Sequence, residues 1–291
     1  MQYREATAAD RDAILALRRE CFGDVDPEKA DPRFWHWEFE RARMFAGEEN
    51  GSLATHIALL QWPHAIDGKV VSGALAVDAM TAPSARGKGA FTKVVQQAMS
   101  QSRQTVATAY QIRSAVLGAM LRGGWAVAAK VPVLVRPAIT LRRPSLQPVG
   151  KFEPWMSELG PRDGCIARTA EFIRWRFFEN PRWAYRVTAM NESAYCVTRR
   201  TKLKGFDTLA IVDLAWNDKR AAKALLRDAI GQARAEGCDL VAALVSRRHP
   251  AFGMLLRHGF LPGPHWFRLL VHPPEQASRP WRVMWADTDH L

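Results

Sequence analysis

Long apolar runs are missing from this chain. None of its 291 residues fall in an uninterrupted apolar stretch of 18, which excludes a helical membrane span. The opening Met1-Gln2-Tyr3-Arg4-Glu5-Ala6-Thr7 holds no apolar signal core, so secretion is not expected. Cysteine is scarce: Cys21, Cys165, Cys196 and Cys238 stand far apart with no C-x-x-C pair. That spacing disfavours a disulfide framework and a zinc site and fits a reducing cytoplasm. The eight histidines show no metal-ligand spacing either, so no metal is expected. Acidic residues are in deficit, 29 against 41 Lys and Arg, for a net charge of +12. An anionic partner is therefore favoured. Long basic arms and nucleic-acid motifs are absent, and the basic residues form only small clusters such as Arg142-Arg143 and Arg247-Arg248. A solvated basic surface explains these better than specific nucleic-acid binding.

What is present begins with a repeat. Phe34-Trp35-His36-Trp37-Glu38-Phe39 returns as Phe172-Ile173-Arg174-Trp175-Arg176-Phe177. Ala76-Val77-Asp78-Ala79 returns as Ile211-Val212-Asp213-Leu214, and the segment from Gly118 to Trp125 returns from Gly253 to Phe260. The order is kept and the offsets are nearly constant. This pattern predicts a tandem duplication of a unit of about 140 residues, an ordinary domain size. The expected division is residues 1–137, a linker at 138–148, and residues 149–291. Within each copy, period-2 and period-3.6 segments alternate. Thr7 to Asp10 has a capping-box pattern before the stripe Ile14, Leu15, Leu17, Cys21. Pro32 suits the first turn of a helix running to Phe39. Asp67-Gly68 signals a hairpin turn between strands at Ser52 to Trp62 and Val71 to Thr81. The second copy is expected to open with a strand at Val149 to Phe152 and a helix at Thr169 to Phe178.

The most informative segment is Val77 to Phe91. A strand-like run ends at Thr81, a basic turn with Gly87 and Gly89 follows, and Phe91, Val94, Val95, Ala98 and Met99 then draw one helical stripe. A strand, a glycine-bearing turn and a helix start together make an anion site. The first-turn amides point outward, the helix dipole favours negative charge, and glycines let phosphate oxygens reach the backbone. The P-loop spacing is absent, because Lys88 precedes Gly rather than Ser or Thr. A Rossmann fingerprint would need another glycine after Phe91 and Thr92.

Arg86-Gly87-Lys88-Gly89-Ala90, with Pro83 three residues before the arginine, resembles motif A of the GNAT superfamily of acyl-CoA-dependent N-acyltransferases. Phe91 stands where that motif has a last Gly or Ala. The resemblance implies an α/β fold with a mixed sheet, two tandem GNAT-like domains, and acetyl-CoA or another acyl-CoA as co-substrate. It implies pantetheine beside the backbone of Ala79, Met80 and Thr81, and pyrophosphate on Arg86, Gly87, Lys88, Gly89 and Ala90. The run Ala74 to Phe91, Leu121 to Trp125 and the tail Trp281 to Asp289 also resemble a bacterial subgroup with tandem GNAT domains. The second copy reads Ala215-Trp216-Asn217-Asp218-Lys219-Arg220-Ala221-Ala222 at the matching place and has no glycine. Only the first copy is therefore expected to bind coenzyme.

Direct attack of an amine on the thioester needs a base, or water, and often an acid for the thiolate. Asp78 lies where family bases often sit. Asp213 occupies the same place in the copy without the turn, which favours a structural role for both. His56 is mid-strand near the expected cleft and titrates near neutrality when unperturbed. A tyrosine usual in the later helix is missing, and Tyr110 just before that helix is the acid candidate. Cys21 reads as a buried thiol. The expected activity is acetyl transfer to a primary amine. Aminoacyl transfer of the cell-wall type and a non-catalytic acyl-CoA-binding module stay open as alternatives.

Overall fold

The computed structural model describes residues 1–23, 27–111, 114–160 and 163–288. Asp289 of the expected tail lies outside them. In chain order the elements are β1 (Gln2–Ala6), α1 (Arg11–Phe22), α2 (Pro32–Phe39), β2 (Ala42–Glu49), β3 (Ser52–Leu60), β4 (His64–Ile66), β5 (Lys69–Val71), β6 (Gly73–Thr81), α3 (Ala90–Gln101) and β7 (Val106–Gln111). There follow α4 (Ser114–Arg122), β8 (Ala126–Pro137), β9 (Cys165–Ile166), α5 (Ala170–Ile173), β10 (Arg186–Met190), β11 (Ala194–Leu203), β12 (Phe206–Trp216), α6 (Lys219–Ala235), β13 (Leu240–Leu244), α7 (Pro250–Arg257) and β14 (Leu261–His272). The fold is mixed α/β. It comprises two compact units: Met1–Pro63, Val71–Ala128 and Arg268–Ser278 in the first; His64–Val70, Ala129–Phe267 and Arg279–Leu291 in the second. No described helix is long and apolar enough to cross a membrane.

In unit 1 the strand order is β1-β2-β3-β6-β7, with Arg268 to His272 of β14 beside β7. Only the β6–β7 pair is parallel; the others are antiparallel. The stripe on α3 is the reason that helix sits where it does. Val94, Val95 and Ala98 are fully buried and join Phe45, Ile57, Leu59, Ala76, Ala107 and Ala109 in one core. Burying such side chains stabilises by about 1.5–3 kcal/mol each for the larger ones. The capping box closes as expected: the Thr7 amide donates to Asp10 Oδ2 at 2.8 Å, heading a short 3₁₀ turn that runs into α1. Asp31 caps α2 through the Arg33 amide at 2.8 Å, with Pro32 in the first turn.

Unit 2 has mixed strand pairings of its own. Strands β10, β11 and β12 are antiparallel, β13 is parallel to β12, and Val133 to Pro137 of β8 run antiparallel to β13. Its core is the apolar face of α6, with Leu225, Leu226 and Ala233, against Ile211, Val241 and Ala243. Three sequence expectations change. Asp67 and Gly68 do turn left-handed, at φ 51° and 72°, but they join the short β4 and β5, which form a separate sheet with β9. Pro63 lacks the N–H needed to carry the β3 ladder onward. Val149 to Phe152 is not a strand; Pro148 makes a single bridge to Thr188, and the missing proline donor and the following Gly150 stop the ladder. The helix expected to Phe178 is α-helical only to Ile173 and widens into a π turn over Arg174–Phe178.

His249 heads α7, its Nδ1 accepting the Ala251 amide at 3.1 Å, and its Nε2 is buried without a partner. Burial pushes its pKa down from 6.5 to about 4. The unfolded chain therefore takes up a proton near pH 6.5 that the folded chain refuses. Stability is complete above that value and is lost as pH falls toward about 4, by about 3 kcal/mol across the window. Asn at this position keeps a cap acceptor and cannot titrate. Urea unfolding at pH 7 and 4.5 is expected to show a smaller stability loss for His249→Asn than for wild type. Equal losses would remove His249 from the account.

Candidate active site

The basic turn follows β6. Pro83–Ala85 form one 3₁₀ turn, and α3 starts at Ala90 with Gly89 as its N-cap. Gly87 and Gly89 both adopt positive φ, 76° and 75°, and an added Cβ on either would meet nothing within 4 Å. The left-handed region costs most side-chain-bearing residues about 1–2 kcal/mol, which is why glycine stands here. No side chain caps α3. The amides of Ala90, Phe91 and Thr92 have no acceptor inside the helix, as for every helix first turn. Open space, backbone donors and the positive end of a 12-residue helix coincide at Gly87 to Ala90.

The two charged side chains of the turn do different things. Arg86 folds back, its Nε donating to the Thr81 carbonyl at 3.1 Å, and so braces the turn against the strand end. Cys21 of α1 lies against the same guanidinium. Cys21 is partly exposed rather than the buried thiol expected, because it lies at the edge of the α1 stripe; its partial burial still pushes the thiol up despite that contact, leaving it a poor nucleophile. Lys88 is exposed, 3.7 Å from Glu49, a contact worth little to stability.

Beyond the turn the sheet opens. β6 and β7 pair from Gly73↔Val106 to Ala76↔Ala109 and no further. β6 continues to Thr81, held on its other side by β3 through His56↔Met80 and Thr55↔Thr81. Thr55 Oγ1 also donates to the Met80 carbonyl at 3.0 Å. The edge of β6 from Val77 to Thr81 is thus free of β7 and leads straight to the turn. The register between β3 and β6 slips in this region, a bulge. Asp78 sits in it at φ 47°. The bulge shifts the side-chain alternation, so that Ala79 joins Ala74 and Ala76 on the α3 face.

The three catalytic candidates differ in setting. Asp78 is buried, with Oδ1 3.0 Å from Lys29 Nζ and 3.2 Å from Arg18 Nη1. Burial pushes its carboxyl up, but Lys29 and Arg18 outweigh that and hold it below the usual carboxylate range. His56 is fully buried, with Nδ1 3.0 Å from the Asp78 carbonyl and Nε2 without a partner. Burial lowers its pKa, so the ring is neutral at pH 7. Tyr110 is the first β7 residue beyond the last rung with β6, and it is buried. Strand alternation puts His56 and Tyr110 on the sheet face opposite α3. Arg18, Lys29 and Glu38 were not singled out in the sequence. Arg18 follows Ile14 by one helical turn, which sets it at the edge of the buried stripe and was the available signal.

The matching place in unit 2 is built otherwise. β12 and β13 also part, after Ala210↔Ala242. Asp218 caps α6 with its own carboxylate, which accepts from the Arg220 amide at 2.8 Å. A carboxylate thus sits where unit 1 leaves room for an anion. The carboxy-terminal segment runs past the end of β13: Met284 bridges Val245, and the Ser246 amide donates to the Val283 carbonyl at 3.0 Å. Asp287 then pairs with Arg168 at 2.7 Å, and Arg168 with Asp213 of β12 at 2.9 Å. Trp281, Met284, Trp285 and Asp287 are all buried. Among the described residues, no group of His, Cys, Asp and Glu could hold a metal.

The family model for a GNAT acetyltransferase domain matches residues 2–128. The matched segment is similar to a GNAT domain. The turn, the N-terminal helix end and the parting strands lie inside it. A GCN5-related N-acetyltransferase from Anabaena variabilis aligns with a TM-score of 0.70 at 16% identity, over 93% of this chain and 72% of that one. A putative acetyltransferase from Pyrococcus horikoshii aligns at 0.65 and 11%, over 99% and 94%. Saccharomyces cerevisiae N-myristoyltransferase with bound myristoyl-CoA aligns at 0.59 and 12%, over 93% and 78%. At these identities the likeness shows the fold, the GNAT type. No curated protein matches.

Proposed function

We propose that this GNAT protein transfers acetyl from acetyl-CoA to a primary amine by direct attack, in the cytoplasm. The observation that carries the reading is the junction in unit 1. A free strand edge, two positive-φ glycines and an uncapped 12-residue helix follow one another within Val77 to Ala90. Pyrophosphate on the amides of Gly87 to Ala90, with Arg86 bracing them, uses the helix end. Pantetheine is an extended diamide and suits the edge at Ala79, Met80 and Thr81 as an added strand would. Tyr110, at the mouth of the parting strands, is the proposed acid. His56 is neutral but sealed from solvent, which supports water as the route for the amine proton, with His56 entering only if the acceptor opens a path to Nε2.

We read the sequence as a tandem duplication, residues 1–137 and 149–291, with the second copy lacking a coenzyme site. The Asp218 cap and the tail beside β13 support this. Crystals soaked with acetyl-CoA are expected to hold one coenzyme per chain, at Gly87 to Ala90. Coenzyme beside Lys219 and Arg220 with the first site empty would reverse the assignment. A binding module without turnover is favoured by one observation, the burial of both base candidates. A panel of primary amines assayed for free thiol release decides between them: release with any amine supports transfer, and coenzyme binding with none supports the module.

A further inference from the structure

The strand aspartate has the same kind of partner in both copies of the repeat. In unit 1, Lys29 precedes α2, reaches Asp78 at 3.0 Å, and lies over the Phe39 ring at 5.6 Å. In unit 2, Arg168 precedes α5, reaches Asp213 at 2.9 Å, and lies over the Phe172 ring at 5.3 Å. The cation's second acid differs: Glu38 of α2 at 3.0 Å for Lys29, Asp287 of the tail for Arg168. The pair therefore recurs where the coenzyme turn does not, and chemistry cannot be the reason for it. β12 bulges beside Asp213 too, between Ile211 and Asp213, so what is peculiar to unit 1 is the backbone angle. Asp78 is left-handed at φ 47°, within a bulge, with its carbonyl taken by His56. Asp213 is not among the positive-φ residues. The strand residues that follow Asp78 are the ones facing the gap between β6 and β7.

We propose that the Lys29–Asp78–Arg18 cluster is the clamp that holds β6 in its bulged form and so sets the backbone of Ala79, Met80 and Thr81 for acyl-CoA. Asp78 is a positioning residue and does not take the amine proton. Three elements converge on Asp78: α1 through Arg18 and the segment before α2 through Lys29, both on its carboxylate, and β3 through His56, on its backbone carbonyl. A strained φ persists only where its surroundings over-determine it, and two cations and a buried imidazole do so here. The clamp explains why the edge beyond Ala76 leaves β7, since a bulge bends the strand and increases its twist.

This inference rests on the proposed coenzyme site, and the test separates the two. Asn tolerates the left-handed region as Asp does, so Asp78→Asn removes the charge and keeps the permitted backbone. Asp213→Asn is the matched change in unit 2. In ligand-free protein, amide exchange at Ala79 to Thr81 is expected to quicken in Asp78→Asn and to stay at the wild-type rate in Asp213→Asn. With acetyl-CoA, Asp78→Asn is expected to weaken binding about tenfold while the pH–rate profile keeps its acid limb. Unchanged exchange at these amides overturns the clamp whether or not coenzyme binds. A lost acid limb with unchanged acetyl-CoA affinity also overturns it, and makes Asp78 the base. If the single variant fails to fold, Lys29→Met with Asp78→Asn removes both charges, and the same readouts apply. Failure of wild type to bind acetyl-CoA counts against the proposed function alone, because the exchange comparison still decides the clamp.

Discussion

Gly89→Asp will fail to bind acetyl-CoA at concentrations that saturate the wild type. Gly89 caps α3 at φ 75°, with open space where its side chain would be. An aspartate there places a carboxylate in the space assigned to the pyrophosphate. Two unit charges about 4 Å apart near a protein surface repel by about 4 kcal/mol, roughly three orders of magnitude in affinity. The variant would also resemble the head of α6, where Asp218 already occupies the helix end. Carboxylates near helix N-termini are stabilising, so the fold is expected to survive and the defect to be one of binding. Gly89→Ala separates charge from strain: it keeps the left-handed cost of about 1–2 kcal/mol without the repulsion, and should lose about tenfold. Titration calorimetry with acetyl-CoA and with coenzyme A measures both. Wild-type affinity in the aspartate variant would remove the basis for the site.

Arg168→Met will destabilise unit 2 by about 3–5 kcal/mol, the range for removing one partner of a buried ion cluster. Arg168 donates to Asp213 and Asp287 and to the Ile166 carbonyl, and all three ionic side chains are almost completely buried. Without the guanidinium, two carboxylates face each other in the interior. Tyr195 still donates to Asp213 at 2.9 Å, and the Ile166 and Met284 amides still donate to Asp287. Those bonds do not neutralise the charge. Thermal unfolding is expected to show a drop of several degrees in the unit 2 transition. Acetyl-CoA affinity at temperatures where the variant is folded should match wild type, since the cluster lies outside the proposed coenzyme site at Val77 to Ala90. A transition within about one degree of wild type, at roughly 2–4 °C per kcal/mol for a chain of this size class, would mean the cluster contributes nothing net.

Much of this protein was legible in its residues for identifiable reasons. Periodicity on α3, proline in the first turn of α2 and the Thr7–Asp10 box are local signals, and local structure obeyed them. Gly87 and Gly89 could be read as backbone positions needing positive φ because no other residue type is as permissive there. Asp67-Gly68 showed the limit of local reading. The turn formed, yet the strands it joins belong to a small sheet with Cys165 and Ile166, about a hundred residues away in sequence. Nothing near Asp67 encodes that partner. Val149 to Phe152 failed in the same way, since apolar content alone does not supply the missing donor of Pro148.

The ion clusters were beyond local reading altogether. The sequence shows Asp78 and Asp213 at matching places and can infer from the match that they share a role. That Lys29 and Arg18 meet at Asp78, or that Asp287 reaches Arg168, depends on contacts spanning 49 to 119 positions of chain. By itself the sequence determined the alternation of strands and helices and a turn able to present backbone amides to an anion, because each rests on near neighbours and on the conformational range of single residues. Only the tertiary structure decided where β6 leaves β7, how Asp78 is held, and which helix end stays open. Those depend on charges and strand edges brought together by the fold.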